Sequence, residues 1–513
     1  MYALNTNKKG NSHALTLVLE QVSRLELSLS DIEKAVGIFE KVSDILIQLS
    51  FPLSDLISGK NVKQNSSEFN LQNLLTRLRI ASIDLLSCRR NNLKRKSSSL
   101  TPKAKRRKGG DLESSSLVQL RESSCGVGLL EICYVCKVHC TSDIPKHEFY
   151  PWMCCKCGYF NFEKRSQSAD LNGKVALVTG GRIKIGFEIV LKLLRCGASV
   201  VTTTRFPNDA RRRYQLQADY SQWASRLHIY GLDLRFLPQV NRFCEYFSTH
   251  FPQLDIFIQN AAQTIRRPTV YYKALVDGER EPISIEANSE DTTLNRVEPN
   301  DGLSVNSRKE TSQLLIHPED FKYFGNPQLS ELHFPTGVTD DDGDQLDLRP
   351  QNTWTTALDE VETEEMVEVT LANYMSPFVL LQKLTSRMAK GRNSKSWAFI
   401  ILVSAMEGKF SECKKTGKHP HTNAAKAALN MLVRTSARYY KKMGILMNAV
   451  DTGWVTDEHP VGSKSRLMSG LKAPLDSVDG AARVLDPIFQ TVNDASETPV
   501  YGKFLKDYRI VGW

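Results

Sequence analysis

Four cysteines have the spacing of metal ligands. They form two Cys-x2-Cys motifs with seventeen residues between them: Cys133, Cys136, Cys154 and Cys157. Zinc takes four soft ligands in a tetrahedron, and each such motif presents two sulfurs to one ion. The spacing therefore predicts a zinc ribbon over residues 125–165. The zinc would be structural, because four protein ligands leave no position for a reactive water. Two reduced turns without metal are the alternative.

A glycine-containing turn marks a second site of possible chemistry. Residues 179–186 read TGGRIKIG and follow the apolar stretch KVALV. Between a strand and a helix, such a turn lets backbone N–H groups and the helix N-terminus meet a pyrophosphate. Arg205 follows the next predicted strand, where the adenosine ribose would sit, and no carboxylate accompanies it. A guanidinium there favours a 2′-phosphate, which predicts NADP with NAD as the alternative, and Arg182 adds to the charge.

The elements that would position this turn alternate along the C-terminal two-thirds of the chain. Apolar strands such as ASVVTTT, LDIFIQN and WAFIILVS alternate with helical stretches from residue 170 to residue 513. This pattern predicts an α/β fold, a Rossmann-type doubly wound parallel sheet. The polar stretch 265–350 interrupts it, which predicts a largely flexible insertion with some order around HPEDFKYFG. The acidic run 340–344 within it is interpreted as a solvated loop.

In several motifs this region resembles the short-chain dehydrogenase/reductase (SDR) family. The family's TGxxxGxG loop matches Thr179, Gly180 and Gly186, with Lys184 at its middle glycine. The family's adenine-contacting dipeptide is similar to Asp233-Leu234, and its NNAG stretch is similar to QNAA at 259–262. Its PG-containing segment is similar to DTGWV at 451–455. Lys184 leaves three possibilities open: it attracts phosphate, its bulk obstructs the approach, or its backbone cannot adopt the required angles.

The resemblance implies a set of cofactor-binding residues on the glycine loop, the strand ends and the segment after the sixth strand. These are Thr179, Gly180, Gly181, Arg182, Ile185, Gly186, Arg205, Asp233, Leu234, Asn260, Ala261, Ala262, Lys426 and Val455. It also implies hydride transfer between a nicotinamide and a small carbonyl or alcohol. A homodimer through the helices from Leu371 and after Thr422 is implied as well, unless the insertion blocks it.

The family's catalytic pattern is only partly present. Its YxxxK motif falls on Thr422 and Lys426, and Asn373 matches its catalytic asparagine. Its serine motif falls on residues 404–408, so alanine stands at the serine position and Ser404 lies one residue earlier. A threonine cannot replace the tyrosine as acid/base, because the pKa of an aliphatic hydroxyl lies far above neutral pH.

One neighbouring side chain offers a substitute for the missing phenol. His421 directly precedes Thr422, and histidine exchanges protons near neutral pH. A surface or loop histidine without a catalytic role is the alternative. Two functions follow: an atypical NADP(H)-binding oxidoreductase, or a catalytically inactive nucleotide-binding sensor or adaptor that acts in the nucleus through the zinc ribbon and the helical region.

The N-terminal part carries most of the charge. The 513 residues have a net charge of +10, and ten Lys/Arg with no acid lie between residues 89 and 108. Amphipathic patterns predict a helical region over 1–88, and composition predicts a disordered linker over 89–124. Basic clusters such as KAKRRK predict nuclear import, with the cytoplasm as the alternative. Nucleic-acid binding rests only on these clusters and the zinc ribbon. The sequence has no run of 18 apolar residues, so no membrane partner is expected.

Overall fold

The computed structural model describes residues 132–141, 145–280, 318–389, 396–412, 415–461, 473–494 and 498–513. All of them belong to one compact unit, Arg106–Trp513. The predicted helical region 1–88 and linker 89–124 lie outside the described residues. In the described part of the chain, no helix is both long and apolar enough to cross a membrane.

One eight-stranded sheet forms the centre of the fold, in the order β3-β2-β1-β4-β5-β6-β7-β8. The strands are β1 Val175–Thr179, β2 Ser199–Thr204, β3 Leu227–Gly231, β4 Ile256–Gln259, β5 Ala398–Ser404, β6 Ile445–Asp451, β7 Phe504–Lys506 and β8 Arg509–Val511. All neighbouring pairs are parallel except β7 with β8. Because β1 pairs with both β2 and β4, the strand order reverses between β1 and β4, where ligands of such sheets bind. The predicted doubly wound sheet is confirmed.

Twelve α-helices are described around the sheet. They are α1 Cys155–Ser166, α2 Lys184–Arg195, α3 Pro207–Gln215, α4 Tyr220–Trp223, α5 Leu237–His250, α6 Lys273–Arg280, α7 Pro318–Phe321, α8 Pro327–His333, α9 Thr363–Thr370, α10 Ser376–Ala389, α11 Pro420–Lys441 and α12 Ser477–Asn493. A π-helical turn, Leu371–Met375, joins α9 to α10. Short 3₁₀ turns span Ala224–Arg226, Thr269–Tyr272, Thr353–Thr355, Leu358–Glu360 and Met406–Gly408.

The two faces of the sheet carry separate cores. In β1, Ala176 and Val178 join the core under α2 and α12, whereas Leu177 joins the core under α5, α10 and α11. This follows from the alternation of side chains along a strand. Helix α2 buries residues at spacings of three and four, such as Ile189, Val190 and Leu193, so one stripe of the helix faces the sheet.

Both described ends of the insertion are ordered against the domain. Residues 265–280 and 318–350 contain helices α6, α7 and α8, while residues 281–317 lie outside the described ranges. Arg266 pairs with Asp320 at 2.6 Å with both side chains at most 2% exposed, and Arg349 pairs with Glu319 at 2.7 Å. Order therefore extends well beyond HPEDFKYFG, because ion pairs that join distant parts of the sequence compensate for its polar composition.

Candidate dinucleotide and metal sites

A cavity of about 370 Å³ opens at the carboxyl ends of the strands, beside the reversal between β1 and β4. Its size is typical of small-molecule pockets. Ten of the predicted cofactor residues line it: Gly180, Arg182, Ile185, Gly186, Arg205, Asp233, Leu234, Asn260, Ala261 and Ala262. The insertion adds residues that the sequence did not indicate, among them Arg267, Tyr272 and Asp344.

The glycine loop is clamped to the end of β4. Thr179 Oγ1 accepts hydrogen bonds from the backbone N–H groups of Asn260 and Ala261, each at 3.1 Å. Asn260 Nδ2 donates to the carbonyl oxygen of Gly180 at 3.1 Å. A Cβ atom on Gly186 would lie 2.0 Å from that same oxygen, so no side chain fits there. The loop and the strand end thus form one rigid backbone cradle.

Lys184, which stands at the family's middle glycine, adopts a backbone conformation that favours glycine. Its φ is +54°, in the left-handed region that costs an L-residue about 1 kcal/mol. The possibility that its backbone cannot adopt such angles is therefore wrong. Its ammonium group lies 3.4 Å from Asp342 Oδ2, so the side chain is directed to the insertion.

An acidic turn of the insertion, residues 340–344, lies against the glycine loop. Asp344 is 9% exposed, and its two carboxylate oxygens each lie 2.8 Å from a terminal nitrogen of Arg182. The Arg182 guanidinium also donates to Asp209 at 2.8 Å. The interpretation of this run as a solvated loop is wrong, because charge pairing with Arg182 and Lys184 holds it on the domain.

Arg205 lies at the end of β2 on the cavity wall. Its guanidinium carbon is 4.7 Å from the ring centroid of Tyr272 and 5.4 Å from that of Phe206, and it donates to Tyr272 Oη at 3.2 Å. Burial raises the pKa of the Tyr272 phenol, but Arg205 and Arg267 outweigh it, so this pKa lies below its ordinary value. The arginine is packed between aromatic rings at the predicted 2′ position.

A buried chain of polar contacts, which we call the Asp233–Asn373 chain, runs from the predicted adenine-contacting residue Asp233 to Asn373, the predicted catalytic asparagine. Arg235 donates to both carboxylate oxygens of Asp233, at 3.0 and 2.6 Å, and lies 3.3 Å from Glu368 Oε1. Gln263 Nε2 donates to Glu368 at 3.1 Å. Asn373 accepts from the backbone N–H of Gln263 and donates to its carbonyl oxygen, at 2.7 and 2.9 Å. Asp233, Arg235, Glu368 and Asn373 are buried. Nothing in the sequence pattern singled out Arg235 or Glu368.

The predicted catalytic residues lie behind the cavity wall. Ser404 Oγ donates to Asn430 Oδ1 at 2.7 Å, and Lys426 Nζ donates to the carbonyl oxygen of Val403 at 2.9 Å. Burial lowers the pKa of Lys426 to about 8, although nearby carboxylates act in the opposite direction. Thr422 is 2% exposed, and its hydroxyl has no hydrogen-bond partner within the described ranges. Of these residues only Val403 belongs to the cavity wall.

His421 is buried in the first turn of α11. Its Nε2 lies 3.4 Å from Oε1 of Glu365, which is 2% exposed, and neither ring nitrogen has a hydrogen-bond partner among the residues described. The placement of His421 on the surface or in a loop is therefore wrong. His419, at the start of the same helix, stacks on Trp354 with ring centroids 3.9 Å apart.

The four predicted metal ligands come together. The sulfurs of Cys133, Cys136, Cys154 and Cys157 all lie within 4.8 Å of one another. Cys136 and Cys154 are separated by 3.8 Å, close to the distance of about 3.8 Å between sulfurs bound tetrahedrally at about 2.3 Å from zinc. His147 is not part of the cluster, and its Nδ1 accepts the backbone N–H of Phe149 at 3.1 Å.

The cysteine knuckle, residues 132–157 as described, docks onto the segment that follows β6. Tyr134 Oη accepts the backbone N–H of Trp454 at 2.8 Å, and Tyr150 Oη donates to Asp479 at 2.5 Å. Val455, a predicted cofactor residue, packs with the apolar residues of the knuckle. No local pattern predicts this contact, because it joins residues 320 positions apart.

Comparison with known proteins identifies relatives of this chain. The family described as short chain dehydrogenase matches residues 174–275 and 350–464. Uncharacterized protein R665 of Acanthamoeba polyphaga mimivirus is 33% identical over 389 residues, which cover 73% of this chain and 75% of that protein. The hydroxynaphthalene reductase-like protein Arp2 of Metarhizium robertsii is 36% identical over 99 residues, 19% of this chain and 36% of its own.

Solved structures with a similar arrangement include an NADPH-bound carbonyl reductase from chicken fatty liver. That alignment covers 67% of this chain and 100% of the reductase, with 18% identity and a TM-score of 0.41. The RhlG/NADP active-site complex of Pseudomonas aeruginosa has a TM-score of 0.41 and 15% identity, over 66% of this chain and 95% of that one.

Proposed function

Because the chain belongs to the short-chain dehydrogenase family, we propose that its C-terminal domain binds NADP(H) and is an oxidoreductase with altered catalytic groups. The observation that carries this proposal is the backbone cradle between Gly180, Gly186 and Asn260. A Cβ at Gly186 would lie 2.0 Å from the Gly180 carbonyl oxygen, so glycine is what lets the N-terminus of α2 close onto the loop beside the cavity. A nucleotide pyrophosphate fits such a cradle, because it accepts hydrogen bonds from backbone N–H groups at a helix N-terminus.

The preference for NADP rests on Arg205. Its position at the end of β2 is where a 2′-phosphate would lie, and the aromatic rings of Phe206 and Tyr272 hold its guanidinium at the cavity. Guanidinium groups bind phosphate strongly and with defined geometry. A bound nicotinamide would supply or accept the hydride. This chain's residues would hold the nucleotide and move the proton.

Proton transfer would need a group other than the family's phenol, because Thr422 stands at that position. We assign it to His421, whose buried ring lies beside the carboxylate of Glu365. Histidine is a common acid/base residue in proton transfer. Lys426 and Asn373 would keep their positions near the nicotinamide end.

A second candidate function is a catalytically inactive nucleotide sensor or adaptor in the nucleus. It is favoured by the inward hydrogen bonds of Ser404 to Asn430 and of Lys426 to Val403, which use these side chains within the protein. The basic clusters in 89–108 would supply the import signal. The knuckle and the N-terminal region would contact the partner.

A structural zinc ion is part of either proposal. Its ligands would be Cys133, Cys136, Cys154 and Cys157, whose sulfur spacing fits a tetrahedral ion. Zinc would stabilise the knuckle, whose few buried apolar residues make only a small core of their own.

Titration of the full chain with NADPH and NADH tests the proposed function. We expect calorimetric binding and a rise in Tm with NADPH, and weaker binding of NADH. NADPH oxidation with a panel of aldehydes, ketones and quinones then separates the two candidates, since the sensor would bind without turnover. No binding of either nucleotide at millimolar concentration would refute both.

A further inference from the structure

The acidic turn is built as a rigid unit. A backbone bridge between Thr339 and Gln345 closes it, and Asp340 Oδ1 accepts the backbone N–H groups of Asp342 and Asp344 at 3.0 and 2.9 Å. Arg213 donates to the carbonyl oxygens of Asp342 and Gly343 at 2.8 and 2.9 Å. These contacts hold the turn carboxylates beside the cavity, whose wall includes Asp340 and Asp344.

Asp344 occupies the edge of Arg182 that a nucleotide phosphate would use. Both terminal nitrogens of the guanidinium donate to the two oxygens of one carboxylate, each at 2.8 Å. Phosphate groups bind arginine in the same two-pronged geometry. Any phosphate that reaches Arg182 therefore competes with Asp344 for the same donors.

Other cations near the glycine loop are also paired with carboxylates. Lys184 lies 3.4 Å from Asp342, and Arg213 lies 2.8 Å from Asp209. Four carboxylates lie among four cations in this cluster: Asp209, Asp340, Asp342 and Asp344 among Arg182, Lys184, Arg212 and Arg213. A dianionic phosphate added to this cluster meets no net positive charge unless some carboxylates leave.

We propose that the acidic turn is a tethered competitor for the nucleotide phosphate, and that Asp344 thereby determines how strongly the site selects a 2′-phosphorylated nucleotide. This inference rests on the proposed function, nucleotide binding at the glycine loop. When a 2′-phosphorylated nucleotide enters, its phosphate takes the place of the Asp344 carboxylate on Arg182 and the turn moves away. A nucleotide without that phosphate gains nothing from Arg182.

The alternative that Asp344 merely orients Arg182 for the ligand is disfavoured by the contact with Asp209. Asp209 belongs to helix α3, not to the turn, and it accepts from Arg182 at 2.8 Å. Arg182 therefore keeps one anionic partner that holds its side chain at the cavity after the turn has left. Its second terminal nitrogen, which contacts only Asp344 in the described part of the chain, becomes available to phosphate.

Calorimetry with two adenosine nucleotides tests the competitor directly. The probes are adenosine 2′,5′-bisphosphate and 5′-AMP, added to the full chain and to Asp344→Asn. We expect Asp344→Asn to bind the bisphosphate about tenfold more tightly than the wild type, since a charge-assisted pair no longer has to be broken. The gain for 5′-AMP should be within about twofold. Asp341→Asn is the matched control, because it removes the same charge from an exposed position of the same turn and should change neither affinity.

The outcomes separate this inference from the proposed function. Equal or weaker bisphosphate binding by Asp344→Asn would refute the competitor while leaving nucleotide binding intact. If neither folded protein binds either nucleotide, both proposals fail. Should Asp344→Asn not fold, Asp342→Asn, which releases the less buried Lys184, replaces it with the same expected direction.

Discussion

The ammonium group of Lys426 lies 2.9 Å from the carbonyl oxygen of Val403, and Val403 also forms part of the cavity wall. The lysine that would face a nicotinamide in the family is thus held by the backbone of the wall itself. Burial lowers its pKa to about 8. Its charge therefore weakens the folded state at neutral pH.

The first prediction concerns stability against pH. The pKa of Lys426 is about 8 in the folded protein, against an ordinary value of 10.5. Between these two values the unfolded chain binds more protons than the folded protein. The contribution of Lys426 to the free energy of unfolding therefore rises with pH across this window. Below pH 8 the buried charge of Lys426 lowers the free energy of unfolding by about 3 kcal/mol. Lys426→Met should lack this rise, as urea denaturation at pH 7 and pH 10 would measure. Lys383→Met, at an exposed position of α10, should behave like the wild type, and equal pH dependence in all three proteins would refute the burial argument.

The second prediction concerns the choice of nucleotide. Arg205→Gln should weaken NADPH binding by about tenfold or more, because a charged partner of the 2′-phosphate is lost, and should leave NADH binding nearly unchanged. Fluorescence titration with both nucleotides measures the ratio of the Kd for NADH to the Kd for NADPH. Arg195→Gln provides the control, since Arg195 pairs with Asp219 and does not line the cavity. An unaltered ratio in Arg205→Gln would remove the basis for preferring NADP.

The third prediction separates chemistry from binding. If the chain turns over a carbonyl, His421→Gln should lower kcat by about 10² or more while the Kd for NADPH stays the same. Glu365→Gln should give a smaller loss and shift the pH profile, because it acts through His421. His419→Gln changes a neighbouring histidine that stacks on Trp354 and should retain turnover. Full activity in His421→Gln would exclude it as the acid/base group.

The fourth prediction concerns the metal. Purified protein should contain about one zinc ion per chain by elemental analysis, and Cys154→Ser should lose it. Since Tyr134 and Tyr150 bond to the segments at Trp454 and Asp479, loss of zinc should also lower the Tm of the dehydrogenase part. Cys140→Ser, outside the four-sulfur cluster, should keep both metal and Tm. Zinc retained in Cys154→Ser would refute the ligand assignment.

The sheet and the two sites were predictable because their signals are local. The strands are short apolar runs, the glycine loop lies within eight residues, and each pair of cysteines lies within four. Periodicity and spacing report on such neighbours. The same logic placed Arg205 at the cavity, since it directly follows β2.

The remaining features depend on contacts between distant residues. Arg182 pairs with Asp344, which is 162 positions away in the sequence. The composition of the polar, acidic stretch around Asp344 does not predict that it pairs with a buried arginine. Arg235 and Glu368 lie 133 positions apart, and His421 lies 3.4 Å from Glu365 of α9, which is 56 positions away in the sequence. Composition alone therefore predicted a flexible insertion and a solvated turn, where charge pairing produces order.

The Asp233–Asn373 chain has a consequence for how this protein can diverge. Asp233, Arg235 and Glu368 alternate in sign and are almost fully enclosed, so replacing Arg235 alone removes the cation that both buried carboxylates share. Simultaneous replacement by apolar residues of similar volume avoids that penalty. Among orthologues we therefore expect these three positions to covary, either all kept or all exchanged together.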